Sequence, residues 1–418
     1  MKKNNASMWF KLIFIVVIVL LIDWYFFHGI RTAFEDVAQS TRNFIYYIYW
    51  GFTVFSIVFA VSFIFLPSAG SFKFVKLYGI SLIIIVMVCK LAGIIPLLID
   101  DVIRLFRLVI QFFYTPDLIS ENNGISRLKF LSYLAIFTAA IPFCTFVFGM
   151  IKGAFSYRLR TVKINLPNLP VNFVGLKIVQ ISDIHIGSFV SAAPLQTAID
   201  IINEQKADII FFTGDFVNNL ADEAEEFIDI LKNIQAPLGV FSILGNHDYG
   251  HYTKWDSKED QIRNFERLKD IHREVGWRLL LNESYVLEKD RDKLAIVGVE
   301  NWSDKMHFSK YGDLQKAISG TEDVPVKLLL SHDPSLWNAE VTKSFKDIDI
   351  TFSGHTHGMQ FGVEIPGFKW SPVQYVYKQW AGLYREGDQY LYVNRGLGFI
   401  GYMGRVGILP EITVIDLY

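Results

Sequence analysis

The sequence predicts an α-helical membrane part of four spans followed by a layered α/β domain. Three observations predict it. Four apolar runs, each near the ~20 residues that cross a bilayer, occupy the first 151 residues. From residue 176 the pattern changes to short apolar runs alternating with amphipathic ones, as strands and helices in layers require. Acidic residues and histidines collect just after several of these runs, where ligands bind in open α/β sheets. The chain has 418 residues, 51% hydrophobic and only 20% charged, too apolar for a disordered chain. Residues 1–150 carry twelve Lys and Arg against seven Asp and Glu, and the remainder carries twenty-eight against thirty-five. That acidic balance speaks against a nucleic-acid partner, which needs a basic face. No feature predicts a protein partner. Both cysteines, Cys89 and Cys144, lie in apolar runs. The α/β part therefore has neither a disulfide framework nor a cysteine metal site.

The expected spans are residues 9–27, 43–66, 77–98 and 128–151, within a transmembrane domain of residues 1–151. One such run could be a buried core helix, but four together would have nothing to surround them. The first follows Lys2 and Lys3 as a secretory signal would. The sequence after it, His28-Gly29-Ile30-Arg31, offers no small-residue cleavage site, so the run reads as a retained anchor. Lys2, Lys3, Lys11, Lys73, Lys76, Lys152, Arg158, Arg160 and Lys163 fall on one side of the spans; Arg31, Arg42, Arg104, Arg107, Arg127 and Lys129 fall on the other. This bias predicts a multi-pass protein of the cell (inner) membrane with both termini, and the α/β domain, in the cytoplasm. Lys90 and Asp23 sit inside the third and first runs at comparable depth, which predicts an intramembrane pair rather than an ion path. Residues 101–114, with Arg104, Arg107 and Gln111 at helical spacing, predict an interfacial helix or a helix packed on the bundle.

Residues 152–175 predict a basic linker, with turn signals at Leu166-Pro167-Asn168-Leu169-Pro170 and a strand leading into a domain of residues 176–418. In order, the pattern predicts strands at 177–182, 208–213, 239–244, 294–299, 326–330, 348–352, 390–393 and 412–415, and helices at 193–204, 221–232 and 258–275.

Chemistry collects beyond five strands: Ser182-Asp183-Ile184-His185, Gly214-Asp215, Gly245-Asn246-His247-Asp248, Ser331-His332-Asp333 and Ser353-Gly354-His355-Thr356-His357-Gly358. Each set alone has an ordinary reading: a turn, a helix cap, a satisfied core histidine. Together they hold five of the nine histidines, which points to a metal site. Asp183, His185, Asp215, Asn246, His332, His355 and His357 are seven donor residues. One tetrahedral zinc needs three or four ligands, so seven suit two divalent cations sharing Asp215, the arrangement of phosphoryl-transfer sites. Mixed nitrogen and oxygen donors accept manganese, the expected ion, and also iron or zinc. His247 flanks a ligand and is the candidate general acid. Asp248 either orients His247 or caps the following segment.

These motifs, in this order, resemble the calcineurin-like metallophosphoesterases. Ser331-His332-Asp333-Pro334, Gly354-His355-Thr356-His357-Gly358, Asn394-Arg395-Gly396-Leu397-Gly398, Arg405 and Pro410-Glu411-Ile412 are similar to the membrane-attached bacterial branch. That branch includes UDP-diacylglucosamine hydrolases and cell-wall-associated phosphoesterases. The resemblance covers residues 176–418 and implies a four-layer α/β/β/α domain. It also implies one metal on Asp183, His185, Asp215 and His357 and a second on Asp215, Asn246, His332 and His355. The implied activity is hydrolysis of a phosphoester or pyrophosphate bond, in a lipid-linked substrate such as UDP-diacylglucosamine. Met359, where the branch has a second glycine, and the bulky Glu300-Asn301-Trp302 depart from the pattern and bear on the substrate pocket. Arg395, Arg405, Trp370 and Trp380 are candidate substrate contacts; the two tryptophans belong to an aromatic stretch that is either sheet core or an acyl-chain guide. The alternative function is a membrane-bound pseudoenzyme, or a sensor or transport protein with an accessory phosphoesterase fold.

Overall fold

The computed structural model describes residues 2–62, 72–113, 127–305 and 308–418. It divides into two compact units, Met1–Phe148 and Gly149–Tyr418.

The first unit contains the helices α1 (Lys2–Ala33), α2 (Gln39–Ser62), α3 (Phe72–Phe113) and α4 (Arg127–Ile151). All are long and apolar enough to cross a membrane, over Ile13–Ala33, Gln39–Ser62, Leu77–Ile110 and Arg127–Phe155. Residues 63–66 of the second expected span lie outside the described residues. Phe14, Leu21, Phe55 and Phe137 point outward, as helices solvated by lipid require. Polar groups turn inward. Lys90 pairs with Asp23, the Thr53 hydroxyl donates to the same carboxylate, and the Tyr49 hydroxyl donates to the Asp23 carbonyl at 2.8 Å. The cost of two charges in hydrocarbon is offset by a network joining α1, α2 and α3.

Residues 101–113 do not form a separate interfacial helix. They continue α3, which runs unbroken for 42 residues; position 114 lies outside the described residues. No Gly or Pro follows Pro96 within α3 to end it. Asp100 also bridges the expected boundary, one oxygen 2.7 Å from Arg104 Nε one turn on and the other 2.6 Å from Arg127 at the start of α4. At 1.5 Å per residue α3 spans about 63 Å, roughly twice a bilayer's hydrocarbon thickness.

The second unit has fourteen strands among the described residues: β1 (Arg158–Ile164), β2 (Lys177–Ile181), β3 (Ile209–Phe212), β4 (Val240–Ser242), β5 (Arg278–Leu279), β6 (Glu283–Lys289), β7 (Asp292–Gly298), β8 (Lys327–Leu330), β9 (Ile350–Ser353), β10 (Val363–Ile365), β11 (Phe368–Trp370), β12 (Gly382–Glu386), β13 (Gln389–Val393) and β14 (Glu411–Leu417). They form two six-stranded sheets, ordered β1-β14-β2-β3-β4-β5 and β12-β13-β9-β8-β7-β6, and a separate β10-β11 hairpin. Within 152–175, β1 pairs in parallel with β14 along its whole length. Between the sheets pack Ile178, Phe211, Phe241, Ile296, Leu328 and Phe352. The outer face of the first sheet is covered by α5 (Ala192–Glu204), α6 (Ile228–Leu231) and α7 (Lys258–Glu274) through Leu195, Ile199, Leu231 and Leu268. The second is covered by Leu314, Ala317, Leu336 and Trp337. The order is helix, sheet, sheet, helix: the four-layer α/β/β/α arrangement.

The helix expected at 221–232 is broken. Two single 3₁₀ turns, Ala221–Glu223 and Glu225–Phe227, precede the four residues of α6. Side chains take the amides a regular first turn would leave free: Glu223 accepts from the amides of Asn218 and Leu220, and Asn264 from that of Ala221.

Candidate metal centre

β2, β3 and β4 run parallel in one sheet, and β7, β8, β9 and β13 run parallel in the other. The carboxyl ends of β2, β3, β4, β8 and β9 lead directly into the five motif loops. These loops are tied together by their backbones: the Asp183 amide donates to the Gly214 carbonyl at 2.8 Å and the Gly354 amide to the His332 carbonyl at 2.9 Å. The Gln180 side-chain amide donates to the Ser353 carbonyl at 2.9 Å, joining the two sheets at the rim.

All seven expected donors meet there. His357 Nε2 lies 3.2 Å from Asp183 Oδ1 and 3.1 Å from His185 Nε2. Asp215 Oδ2 lies 3.5 Å from His185 Nε2 and 3.2 Å from His332 Nε2. His355 Nδ1 lies 3.3 Å from His332 Nε2 and 2.8 Å from Asn246 Oδ1. Two clusters result, Asp183 with His185 and His357, and Asp215 with His332 and His355; a third joins Asp215 to His185 and His247. Atoms bound about 2.1 Å from one ion stand about 3.0–3.4 Å apart by simple geometry, so the donor set fits divalent ions.

The backbone is held under strain to achieve this. Among the described residues, ten other than glycine have positive φ, and five are donors: Asp183, His185, Asp215, His355 and His357. Each costs roughly 1–3 kcal/mol and persists where function fixes it. Asp and His tolerate this region better than most residues. Gly354 is required because a Cβ there would strike Ser182 Oγ and the Asp183 carboxylate; at Gly245 it would strike Asp215.

The electrostatics suit cations. Burial raises both carboxylates, but His357 beside Asp183 and His332 beside Asp215 outweigh it and hold them well below the usual range. Burial lowers His332, yet Asp215 prevails and lifts it to about 10. Positive charge is thus favoured beside Asp215, the charge that a cation would supply there. Burial holds His185 well below its ordinary value, neutral and with a lone pair to give.

His247, like His355, is half-buried, whereas His185, His332 and His357 are buried. Its amide donates to Asp215 Oδ1 at 2.9 Å, and its Nδ1 donates to the Asn218 carbonyl at 2.8 Å, which leaves Nε2 for other partners. Asp248 does not orient it. The Asp248 carboxylate is wholly buried and accepts from the amides of Asp215, Phe216, Val217 and Gly245 at 2.8–3.2 Å. It clamps the Asp215 loop.

Three of the four expected substrate contacts make contacts within the domain. Arg395 pairs with Glu411 and, at 2.7 Å, with Glu364. Arg405 is 1% exposed and donates to the carbonyls of Gly398 and Arg395, with Nη2 3.2 Å from His357 Nδ1. Both guanidiniums are spent on internal partners. Trp380 is buried among Val373, Tyr377, Ala381 and Ile408, so it is core. Only Trp370, half-buried on the β10-β11 hairpin, retains surface.

Further side chains stand close to the donors. The Tyr252 ring sits 4.5 Å from that of His247, and its hydroxyl accepts from Asn246 Nδ2 at 2.9 Å. Phe308 meets His355 edge-on at 4.9 Å. Tyr377 and Asp333 contact the far side of His355. Asp333 had a signal of its own, since it directly follows the expected donor His332.

A four-layer α/β/β/α domain with buried carboxylates and imidazoles converging at its strand ends defines a metal-dependent phosphoric ester hydrolase. Residues 176–359 match the calcineurin-like phosphoesterase family, and residues 7–154 match a family described as a calcineurin-like phosphoesterase transmembrane domain. The chain belongs to the calcineurin-like metallophosphoesterases and is a membrane protein. It is 32% identical to the uncharacterized metallophosphoesterase YkuE of Bacillus subtilis over 62% of this chain and 83% of that protein. It is 28% identical to a transmembrane protein with metallophosphoesterase domain of Danio rerio, over 65% of this chain and 60% of the relative. It is 29% identical to the UDP-2,3-diacylglucosamine pyrophosphatase LpxG of Chlamydia trachomatis, over 62% and 89%.

Proposed function

We propose that the chain hydrolyses a phosphoester or pyrophosphate bond in a lipid-linked substrate, using two divalent cations, manganese in preference to iron or zinc. The observation that carries the two-cation reading is Asp215, which approaches the imidazoles of both neighbouring clusters through one carboxylate. Asp183, His185, Asp215 and His357 would hold one ion; Asp215, Asn246, His332 and His355 the other. When bound, such ions polarise a phosphoryl oxygen and make water a nucleophile near neutral pH. His247, fixed through Nδ1, presents Nε2 to protonate the leaving oxygen. Asp248 keeps Asp215 at its post.

The lipid-linked part of the proposal rests on surface chemistry. The β10-β11 hairpin follows His357 closely and exposes Val363, Ile365 and Phe368 at 44%, 58% and 55%. LpxG, by its name, acts on a diacylated sugar nucleotide. The double variant Ile365→Ser, Phe368→Ser is expected to raise KM for a diacylated pyrophosphate substrate several-fold while hydrolysis of a small aryl phosphoester is unchanged. Equal loss on both would remove the lipid from the proposal. A transport reading has no support of its own, since Lys90 is committed to Asp23.

The Lys and Arg asymmetry supports an inner-membrane protein with the catalytic unit in the cytoplasm. A fluorescent reporter fused after Tyr418 is expected to glow, and a phosphatase reporter active only outside to stay silent. The reverse pair would put the enzyme on the other face.

A further inference from the structure

Every histidine donor must turn one ring nitrogen toward the metal, and what holds the other nitrogen decides which. For His332 the answer is in the backbone: Nδ1 lies 2.7 Å from the Thr213 carbonyl, which can only accept, so Nδ1 keeps its proton and Nε2 is the nitrogen left to face a cation. His355 is held differently. Its Nδ1 faces Asn246 and His332, while Nε2 lies 2.8 Å from the Tyr377 hydroxyl oxygen. That hydroxyl donates to Asp333 Oδ2 at 3.0 Å. Asp333 is 1% exposed, and its other oxygen accepts from the Ser335 amide at 2.8 Å. The Ser303 hydroxyl is within hydrogen-bonding reach of both Asp333 and Tyr377.

We propose that Tyr377 and Asp333 are positioning residues for the second cation: they fix His355 with its proton on Nε2 and its lone pair on Nδ1. The logic is a count of protons. An ionised carboxylate only accepts, and a phenol has one proton to donate. With that proton on Asp333, the Tyr377 oxygen presents lone pairs to His355, so Nε2 must be the donor. A neutral imidazole then has its single lone pair at Nδ1, aimed between Asn246 and His332. The Tyr377 ring is held by Val373, Trp380, Ala381 and Ile408, and its amide donates to the Val373 carbonyl at 2.8 Å. The segment after the last two histidine ligands thus returns to brace the first of them. Neither residue touches the reacting atoms in this role.

The inference rests on the two-cation reading, and one experiment separates the two. Metal-stripped full-length protein in detergent is titrated with Mn²⁺ by calorimetry, with bound metal counted by elemental analysis, for the wild type and Tyr377→Phe. The wild type should take up two equivalents; one or none would overturn the two-cation reading itself. Tyr377→Phe loses only the hydroxyl. Its affinity for one equivalent should fall about 10–100-fold, the usual effect of losing a hydrogen-bond partner behind a ligand, and the other should be unchanged. Its metal-free melting temperature should match the wild type. Asp333→Asn keeps an acceptor oxygen without the charge and should give a smaller loss at the same site. Two unchanged affinities in Tyr377→Phe, weakening of both, or a lowered metal-free melting temperature would overturn the positioning role.

Discussion

Asp215→Asn is expected to bring hydrolysis of any phosphoester close to background. The substitution leaves an oxygen of the same shape but removes the negative charge and turns the second oxygen into a donor. That second oxygen, Oδ2, is the one near both His185 and His332. Both cation positions should therefore weaken together, whereas His355→Ala should weaken one. Losing the charge stabilisation such ions supply, several kcal/mol, corresponds to about a thousand-fold or more in rate. The variant should still fold, because Asn is at ease at the φ of +58° that Asp215 adopts, and the clamp from Asp248 acts on backbone amides. Chelation of the wild type should reproduce the loss and added Mn²⁺ should reverse it. Full activity in excess chelator would contradict the metal mechanism; loss of only one equivalent of metal in Asp215→Asn would contradict the shared ligand.

His247→Ala should lower turnover by roughly 10²–10⁴ on substrates with a poor leaving group, the usual worth of a positioned general acid. The ring is fixed by Nδ1 to Asn218, and Nε2 is the atom left to hold or deliver a proton. An aryl phosphoester whose leaving group needs no proton should lose far less, and that contrast is the signature to measure. Bound metal should stay at the wild-type level. His247 also stands in a donor cluster with His185 and Asp215; loss of metal in the variant would make it a ligand, and an equal loss for all leaving groups would remove it as the acid.

The strands show where legibility ends. All eight interior strands, β14, β2, β3 and β4 of one sheet and β13, β9, β8 and β7 of the other, stand near expected apolar runs. β2, β3, β8 and β9 are almost wholly buried, and burial on both faces writes continuous apolar residues into a sequence. In the two large sheets the strands that escaped notice, β5, β6 and β12, are edges; β10 and β11, also unforeseen, form a hairpin outside both sheets. β6 and β12 carry mixed residues, Glu283–Lys289 and Gly382–Glu386, with exposed positions, and a half-solvated edge has no such signature.

The sequence by itself picked out the seven residues that meet at the rim. Asp183, His185, Asp215, Asn246, His332, His355 and His357 each follow a readable strand, and chain direction alone carries such residues to the same rim of a parallel sheet. It also determined that Lys90 needed a partner, because a charge in hydrocarbon is too costly to leave alone. Only the tertiary structure decided what polar and aromatic side chains do with their second contacts. Asp248 proved to hold a loop, Arg395 and Arg405 to be spent internally, Trp380 to be core and Tyr377 to stand behind His355. The partners of Tyr377 lie 22 and 44 residues away, and nothing in the local pattern records them. Short-range periodicity reports which face of a strand or helix is buried. A hydrogen bond between distant loops depends on how the two sheets pack, and that is fixed only when the whole chain has folded.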